Sequence, residues 1–236
     1  MIERLSSTGS TNADLAQRLS LGERVPEGAW LVADRQTAGR GRQGRVWQDG
    51  LGNFMGSTLV HLQPGDPAAG TLALVTALAV YEAVSPLVVP PYRAMLKWPN
   101  DVLISGAKLA GILLERVGDA VVVGVGVNLA QAPQLADRAT VALSAFGPAP
   151  DRDGFALELA SSFALELDRW RRFGLAAVIS RWQAAAYPPG TQLRVDQGVA
   201  GVLAGVFGGL SEDGALRLVL GDGTACVIHA GEVNLA

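Results

Sequence analysis

Between residues 93 and 129 four β-prone runs follow one another with almost nothing between them. Residues 93–98 pass through Pro99-Asn100 into 101–104, Ser105-Gly106-Ala107 turns the chain into 108–116, and Gly118-Asp119 turns it again into 120–129. Connections this short join only antiparallel neighbours, because a parallel crossover needs a dozen residues or more. This stretch therefore predicts an antiparallel run of sheet. Gly111, Gly124 and Gly126 interrupt the runs where a backbone or a ligand comes close.

The rest of the chain supplies helices and a second set of strands. A helix is expected from near Thr11, with Asp14 three positions on as a capping box, Leu15 and Leu19 on one face and Gly22 ending it. Trp30-Leu31-Val32-Ala33 and residues 53–62 read as strands, and Asp66-Pro67 as the cap of a helix running to about Val84, stopped by Pro86. Ala156, Ala160, Phe163, Leu167 and Trp170 step at helical intervals, as do Leu175, Val178, Ile179, Trp182 and Ala186, giving two more helices with core-facing stripes. Pro188-Pro189-Gly190 marks a boundary between a domain at 1–187 and a smaller one at 188–236. In the latter, runs at 192–195, 199–206, 215–220 and 225–229 are split by Gln197-Gly198, Asp213-Gly214 and Asp222-Gly223, the pattern of a small β-barrel that leans on its neighbour. The fold class is α+β: a mixed, largely antiparallel sheet flanked by helices, plus the C-terminal barrel.

Hydrophobic content of 49% against 17% charge supports a substantial core. A formal net charge of −3 gives no footing for nucleic acid. Cys226 stands alone, and His61 and His229 are too few and too far apart for a zinc site. The N-terminus lacks the apolar core of a signal peptide, and the longest apolar run, 68–81, holds Gly70, Thr71 and Thr76 and is too short to cross a bilayer. A cytoplasmic protein without a membrane partner is expected.

The chemistry concentrates in Gly39-Arg40-Gly41-Arg42-Gln43-Gly44-Arg45-Val46-Trp47, with no carboxylate between Asp34 and Asp49. Glycines let backbone N–H groups approach an anion, and guanidinium forks pair with phosphate or carboxylate oxygens. In a chain of negative net charge this is a seat for a small anion. The segment also fits G-x-G-x-x-G, but a dinucleotide fingerprint needs a helix opening at its third glycine, and residues 45–53 are rich in glycine and turn formers. No G-x-x-x-x-G-K-[ST] occurs either.

Other polar clusters fall at element ends. Ser10-Thr11-Asn12 offers two hydroxyls and an amide at a helix start, and Gln36 follows a strand end. In Lys97-Trp98-Pro99-Asn100-Asp101, Lys97 lies in an apolar strand and needs an anionic partner, either Asp101 or a ligand. Lys108 opens an apolar strand directly after a turn, and Gly124-Val125-Gly126-Val127-Asn128 ends another. Each cluster alone reads equally as a helix cap or a turn; their ordered combination carries the argument.

In that order the motifs resemble those of the biotin protein ligases over roughly residues 8–190. The resemblance implies a catalytic fold related to class II aminoacyl-tRNA synthetases with an SH3-like C-terminal barrel. It implies two half-reactions: biotin and ATP, brought with Mg2+, give biotinyl-5′-AMP, and a lysine of a biotin carboxyl carrier protein then displaces AMP. Ser10, Thr11 and Gln36 would contact biotin's ureido ring, and Asn12 would also bind biotin; Arg40, Gly41 and Arg42 would close over biotin and the acyl phosphate; Trp47 would cover the apolar chain and shield the adenylate. Lys108 would neutralise the oxygen shared by carboxylate and phosphate, making Arg42 and Lys108 the catalytic pair. Gly111 would border biotin, and Asn100 and Asn128 would lie near the nucleotide. Gln43 departs from the second adjacent arginine that relatives often carry. Nine residues before Ser10 leave no room for a helix-turn-helix, so operator binding is expected to be absent, while a homodimer through sheet edges fits the family. Two other readings are a lipoate or octanoate ligase of related fold, against which the arginine loop and Trp47 speak, and a non-catalytic binding module, against which Lys108, Arg40 and Arg42 speak.

Overall fold

The structure is a computed structural model and describes residues 1–235; Ala236, the last residue of the expected barrel, lies outside the described residues. Its first sheet is built from β1 (Ile2–Leu5), β2 (Trp30–Ala33), β3 (Phe54–His61), β4 (Ala94–Lys97), β5 (Asp101–Ile104), β6 (Ala107–Val117) and β7 (Ala120–Val127), in the spatial order β1-β2-β3-β7-β6-β5-β4. The four runs with short connections become β4 to β7, each antiparallel to the next. β1 pairs parallel with β2, which makes the sheet mixed. That strand was not foreseen, because Ile2-Glu3-Arg4-Leu5 carries two charges in four residues and gains its order only from its neighbour.

Helix α1 (Thr11–Ser20) packs on β3 and β7, where Leu15 meets Leu31 and Val122. Ser10, not Thr11, is its cap: Ser10 is extended (φ −162°, ψ 126°) and its side chain accepts from the Ala13 amide. Helix α2 (Leu72–Val84) is packed against β4, β5, β6 and α3. It starts later than expected, after a 3-10 turn at Ala69–Thr71, because the Asp66 carboxylate accepts from the Gln63 amide instead of capping a helix. With its flanking turns the helical run extends over Ala69–Leu87, 19 residues of mean hydropathy 1.4, longer than the apolar run suggested and long enough to cross a membrane by length and composition. Its place in the protein is the core: Leu72, Val75, Leu78, Val80 and Val84 are all buried, and Thr71 accepts from the Trp170 indole at 2.9 Å.

The two helical stripes expected near the C-terminal end form one helical run, α3 (Arg152–Ala185), broken at Gly174 (φ 71°, ψ −175°). The buried Glu166 carboxylate pairs with Arg169 before the break and Arg181 after it, tying the two halves together.

A second sheet follows: β8 (Gln192–Asp196), β9 (Val202–Leu210), β10 (Leu216–Val219), β11 (Ala225–Ile228) and β12 (Glu232–Leu235), antiparallel throughout in the order β11-β10-β9-β8-β12, a small barrel-like unit. β12 was not foreseen; it pairs with β8 across the whole unit rather than with its sequence neighbour. Leu193, Val195, Phe207, Leu216, Leu218, Ile228 and Val233 form its core, which is continuous with that of the first sheet through Tyr187 and Trp182. Trp98, from the turn after β4, donates to the Gly214 carbonyl at 3.1 Å.

The break in α3 yields a test whose sign is diagnostic. In a continuous helix, Gly174→Ala would stabilise by about 1 kcal/mol. At the observed backbone angles, which are nearly exclusive to glycine, it should destabilise by about 1–3 kcal/mol. Thermal denaturation should therefore show a lower Tm; a higher one would show that the helix runs straight.

Candidate functional site

A cleft of about 370 Å³ opens between the basic loop, the faces of β6 and β7, and the start of β12. Ser10, Thr11, Asn12, Gln36, Arg40, Gly41, Arg42, Trp47, Asn100, Lys108, Gly111 and Asn128, scattered over nearly 120 positions of sequence, all line it. The cleft has a polar end, an apolar floor and a charged end.

At the polar end, Thr11 donates to Gln36 Oε1 through its amide at 2.8 Å and its hydroxyl at 3.1 Å. Because Ser10 takes over the cap, Thr11 is free to face inward. The Thr11 and Ser57 hydroxyls lie 2.7 Å apart, and Ser57 donates to Asn12 Oδ1 at 2.6 Å. Ser57 was missed from sequence; the only available signal was a pair of hydroxyls, Ser57-Thr58, inside an otherwise apolar strand.

The floor is made by Gly111 and Gly126, direct partners across β6 and β7. The Trp47 indole lies on them: a Cβ at Gly126 would collide with the ring, and one at Gly111 would come within 3.0 Å of it. Lys108 Nζ sits 5.8 Å from the ring centroid, within cation–π range. The Trp47 Nε1–H is buried without a hydrogen-bond partner.

The charged end is organised by two consecutive residues. Asp101 is only 5% exposed, and its carboxylate is shared by Lys108 at 2.6 Å and Lys97 at 3.1 Å. Of the two partners open to Lys97 from sequence, the structure selects Asp101. Burial alone would push the Asp101 carboxyl up, but the two ammonium groups outweigh it and hold the group below its ordinary value. Burial draws the Lys108 ammonium down from its usual value, against the pull of Asp101. Next to it, Asn100 accepts from Arg42 at 2.9 Å and donates to the Ile112 carbonyl at 2.7 Å, fastening the basic loop to β6. Asn128 lines the cleft, but its amide is committed to the carbonyls of Val141 at 3.1 Å and Lys108 at 3.4 Å, so it braces the strand end.

The loop itself makes one 3-10 turn at Arg42–Gly44 and no helix, which removes the dinucleotide fingerprint. Gln43 adopts a left-handed conformation (φ 57°, ψ 33°) and accepts from Arg45 at 3.2 Å. Arg40 is 60% exposed and reaches Glu115 at 4.0 Å. Glu232, at the start of β12, pairs with Arg45 and, at 3.2 Å, with Arg138. Neither Glu232 nor Arg138 carried a sequence signal, since Glu232 reaches the cleft from β12 and Arg138 from a loop, both far from the motifs. Among the described residues there is no group of three or more His, Cys, Asp and Glu side chains placed to hold a metal ion. The cleft carboxylates Asp101, Asp137 and Glu232 are each paired with lysine or arginine.

Comparison with known proteins agrees with this arrangement. The model of the Biotin/lipoate A/B protein ligase family matches residues 3–129. A biotin–[acetyl-CoA-carboxylase] ligase of Paracoccus denitrificans is 40% identical over 97% of this chain and 98% of its own. One of Mycobacterium tuberculosis is 37% identical over 98% of this chain and 88% of its own. Among solved structures, the biotin protein ligase from Aquifex aeolicus in complex with biotin and ATP superposes with a TM-score of 0.85 at 28% identity, covering 100% of this chain and 98% of that one. With the family's pattern running through more than half of its length, and full-length relatives at this level of identity, the chain belongs to the biotin/lipoate A/B protein ligase family.

Proposed function

We propose that this protein is a biotin–[acetyl-CoA-carboxylase] ligase, which activates biotin with ATP and passes it to a lysine of a biotin carboxyl carrier protein. One observation carries the reading: the adjacent residues Asn100 and Asp101 bind the Arg42 guanidinium and the Lys108 ammonium, so that both cations line one cleft with an apolar floor and a hydroxyl- and amide-lined end. Biotin has the matching sequence of parts, a ureido ring, an apolar chain and a carboxylate. The ring is seated by Ser10, Thr11, Asn12 and Gln36, the chain passes over Gly111 and against Trp47, and the carboxylate arrives at Lys108.

In the first step a biotin carboxylate oxygen attacks the α-phosphorus of ATP, and the bond to pyrophosphate breaks. Both reactants are anions, so preorganised cations at the meeting point supply the largest share of the rate. Lys108 and Arg42, which line the cleft, would serve in this role, with Arg40 in the same loop. Mg2+ brought on ATP would supply charge neutralisation at the phosphates; Asp101, Asp137 and Glu232 are paired with lysine or arginine and so are not free to hold it. In the second step the carrier's neutral lysine amine attacks the acyl carbon, and AMP leaves. Between the steps the mixed anhydride has to be kept from water, which is the role of Trp47 and the loop around it. The protein works in the cytoplasm, where ATP and the carrier are met, and needs no nucleic-acid partner, in keeping with its net charge of −3.

ATP–pyrophosphate exchange run in parallel with biotin, lipoate and octanoate tests the substrate. Biotin should drive exchange and the other two should not; exchange driven by lipoate alone would replace the reading. Lys108→Ala should lower the exchange rate by about 100-fold, the scale of losing one preorganised donor, with biotin affinity less affected. Equal loss of rate and affinity would assign Lys108 to binding or folding instead. Gly126→Ala should displace the Trp47 ring and raise the release or hydrolysis of biotinyl-5′-AMP measured without carrier; leakage equal to that of the wild type would remove Trp47 from the shielding role.

A further inference from the structure

We propose that Glu115, a residue of β6 that does not line the cleft, is a positioning residue that sets the direction of the hydrogen bonds around the biotin seat. The inference rests on the reading above, in which the polar end of the cleft receives the ureido ring.

Glu115 Oε2 accepts from Asn12 Nδ2 at 2.6 Å, and the Glu115 side chain is 33% exposed. A carboxylate only accepts. Asn12 must therefore turn its NH₂ toward Glu115 and its carbonyl oxygen toward the cleft. There Oδ1 takes the single proton of the Ser57 hydroxyl at 2.6 Å. Ser57 is left facing Thr11, 2.7 Å away, with lone pairs. The Thr11 proton is shared between Ser57 and Gln36 Oε1, and the Thr11 amide holds that same oxygen, which leaves the Gln36 NH₂ as the donor end. One charge behind the wall thus sets the direction along Asn12, Ser57 and Thr11, in accord with the Gln36 amide that the Thr11 backbone N–H fixes.

Gly124 completes the arrangement. It lies on β7 beneath the Asn12 amide, where a Cβ would collide with Oδ1 and come within 2.9 Å of Cγ. The amide is therefore seated against bare backbone, and Glu115 is the group that decides which of its ends faces inward. A ureido ring presents a carbonyl and two N–H groups, so a seat whose amides could flip would oppose donor to donor. The second carboxylate oxygen of Glu115 lies 4.0 Å from Arg40, an exposed pair that contributes little by itself.

The test is steady-state ATP–pyrophosphate exchange on the full chain, with KM for biotin and for ATP measured separately and Tm recorded for each variant. Glu115→Ala should raise KM for biotin by roughly 10–100-fold, the range for a lost charge-assisted hydrogen bond, with KM for ATP and Tm unchanged. Glu115→Gln keeps an acceptor for the Asn12 amide but loses the charge and the one-way constraint, so it should bring KM for biotin below the Glu115→Ala value without reaching that of the wild type. Gly124→Ala, which displaces the same amide from β7 without touching Glu115, should reproduce the biotin-specific rise. An unchanged KM for biotin in Glu115→Ala, a parallel rise in both KM values, a Glu115→Gln no better than Glu115→Ala, or a Gly124→Ala that behaves as wild type would each overturn the proposal. If the wild-type protein itself shows no biotin-driven exchange, the functional reading has failed; if it does and Glu115→Ala matches it, only the role of Glu115 has failed.

Discussion

A buried carboxylate between two lysines is the constraint on which the rest of the structure depends. Asp101 cannot remain ionised in the interior without Lys97 and Lys108, and neither lysine can occupy an apolar strand without Asp101. The ladders satisfy both conditions at once. Lys97 is the register partner of Asp101 across the β4–β5 hairpin, and a bulge between Val102 and Leu103 brings Lys108 opposite Leu103 on β6, with its ammonium beside the same carboxylate. The register of three strands is thereby tied to the chemistry of the cleft. Removing Asp101 would leave both ammonium groups without their shared partner in low dielectric.

Adjacent to that cluster, Asn100 extends the same hairpin to the basic loop through Arg42, while Lys97 extends it to the C-terminal sheet by donating to the Val233 carbonyl at 3.0 Å. Trp98, between them, donates into the turn before β10. The C-terminal unit is therefore a wall of the cleft as well as a lobe of the fold, and Glu232 places a carboxylate between Arg45 and Arg138. A small sheet of this size gains stability from its neighbour; here the shared core and these polar ties supply it. In exchange, the site gains a side that the first sheet could not provide.

What was legible in the sequence is what is encoded locally. The β4–β7 meander followed from turns too short for any other connection, and α1 and the two halves of α3 followed from helical stripes. The motif residues could be nominated because each carries an unusual polar type at an element end. Missed features depend on pairing at a distance. β1 and β12 are four residues each and are ordered by strands far away in sequence, β2 and β8. Helix α2 starts at Leu72 because Asp66 finds the Gln63 amide, a competition between two local hydrogen bonds that composition does not rank. Ser57 and Glu115 looked like ordinary strand residues, and Glu232 lay outside any expected element, until the fold brought them to Asn12 and Arg45.

The sequence alone determined that this chain has an antiparallel sheet flanked by helices, a β-rich C-terminal unit and a cationic, glycine-rich loop, because turn length, side-chain period and local charge are properties of contiguous residues. Only the tertiary structure decided that Lys97 belongs to Asp101, that the NH₂ of Asn128 braces a strand end while the residue lines the cleft, and that a glutamate outside the cleft meets an amide inside it. Those outcomes turn on which donor meets which acceptor across strands, and a one-residue change of register would send each side chain to the opposite face.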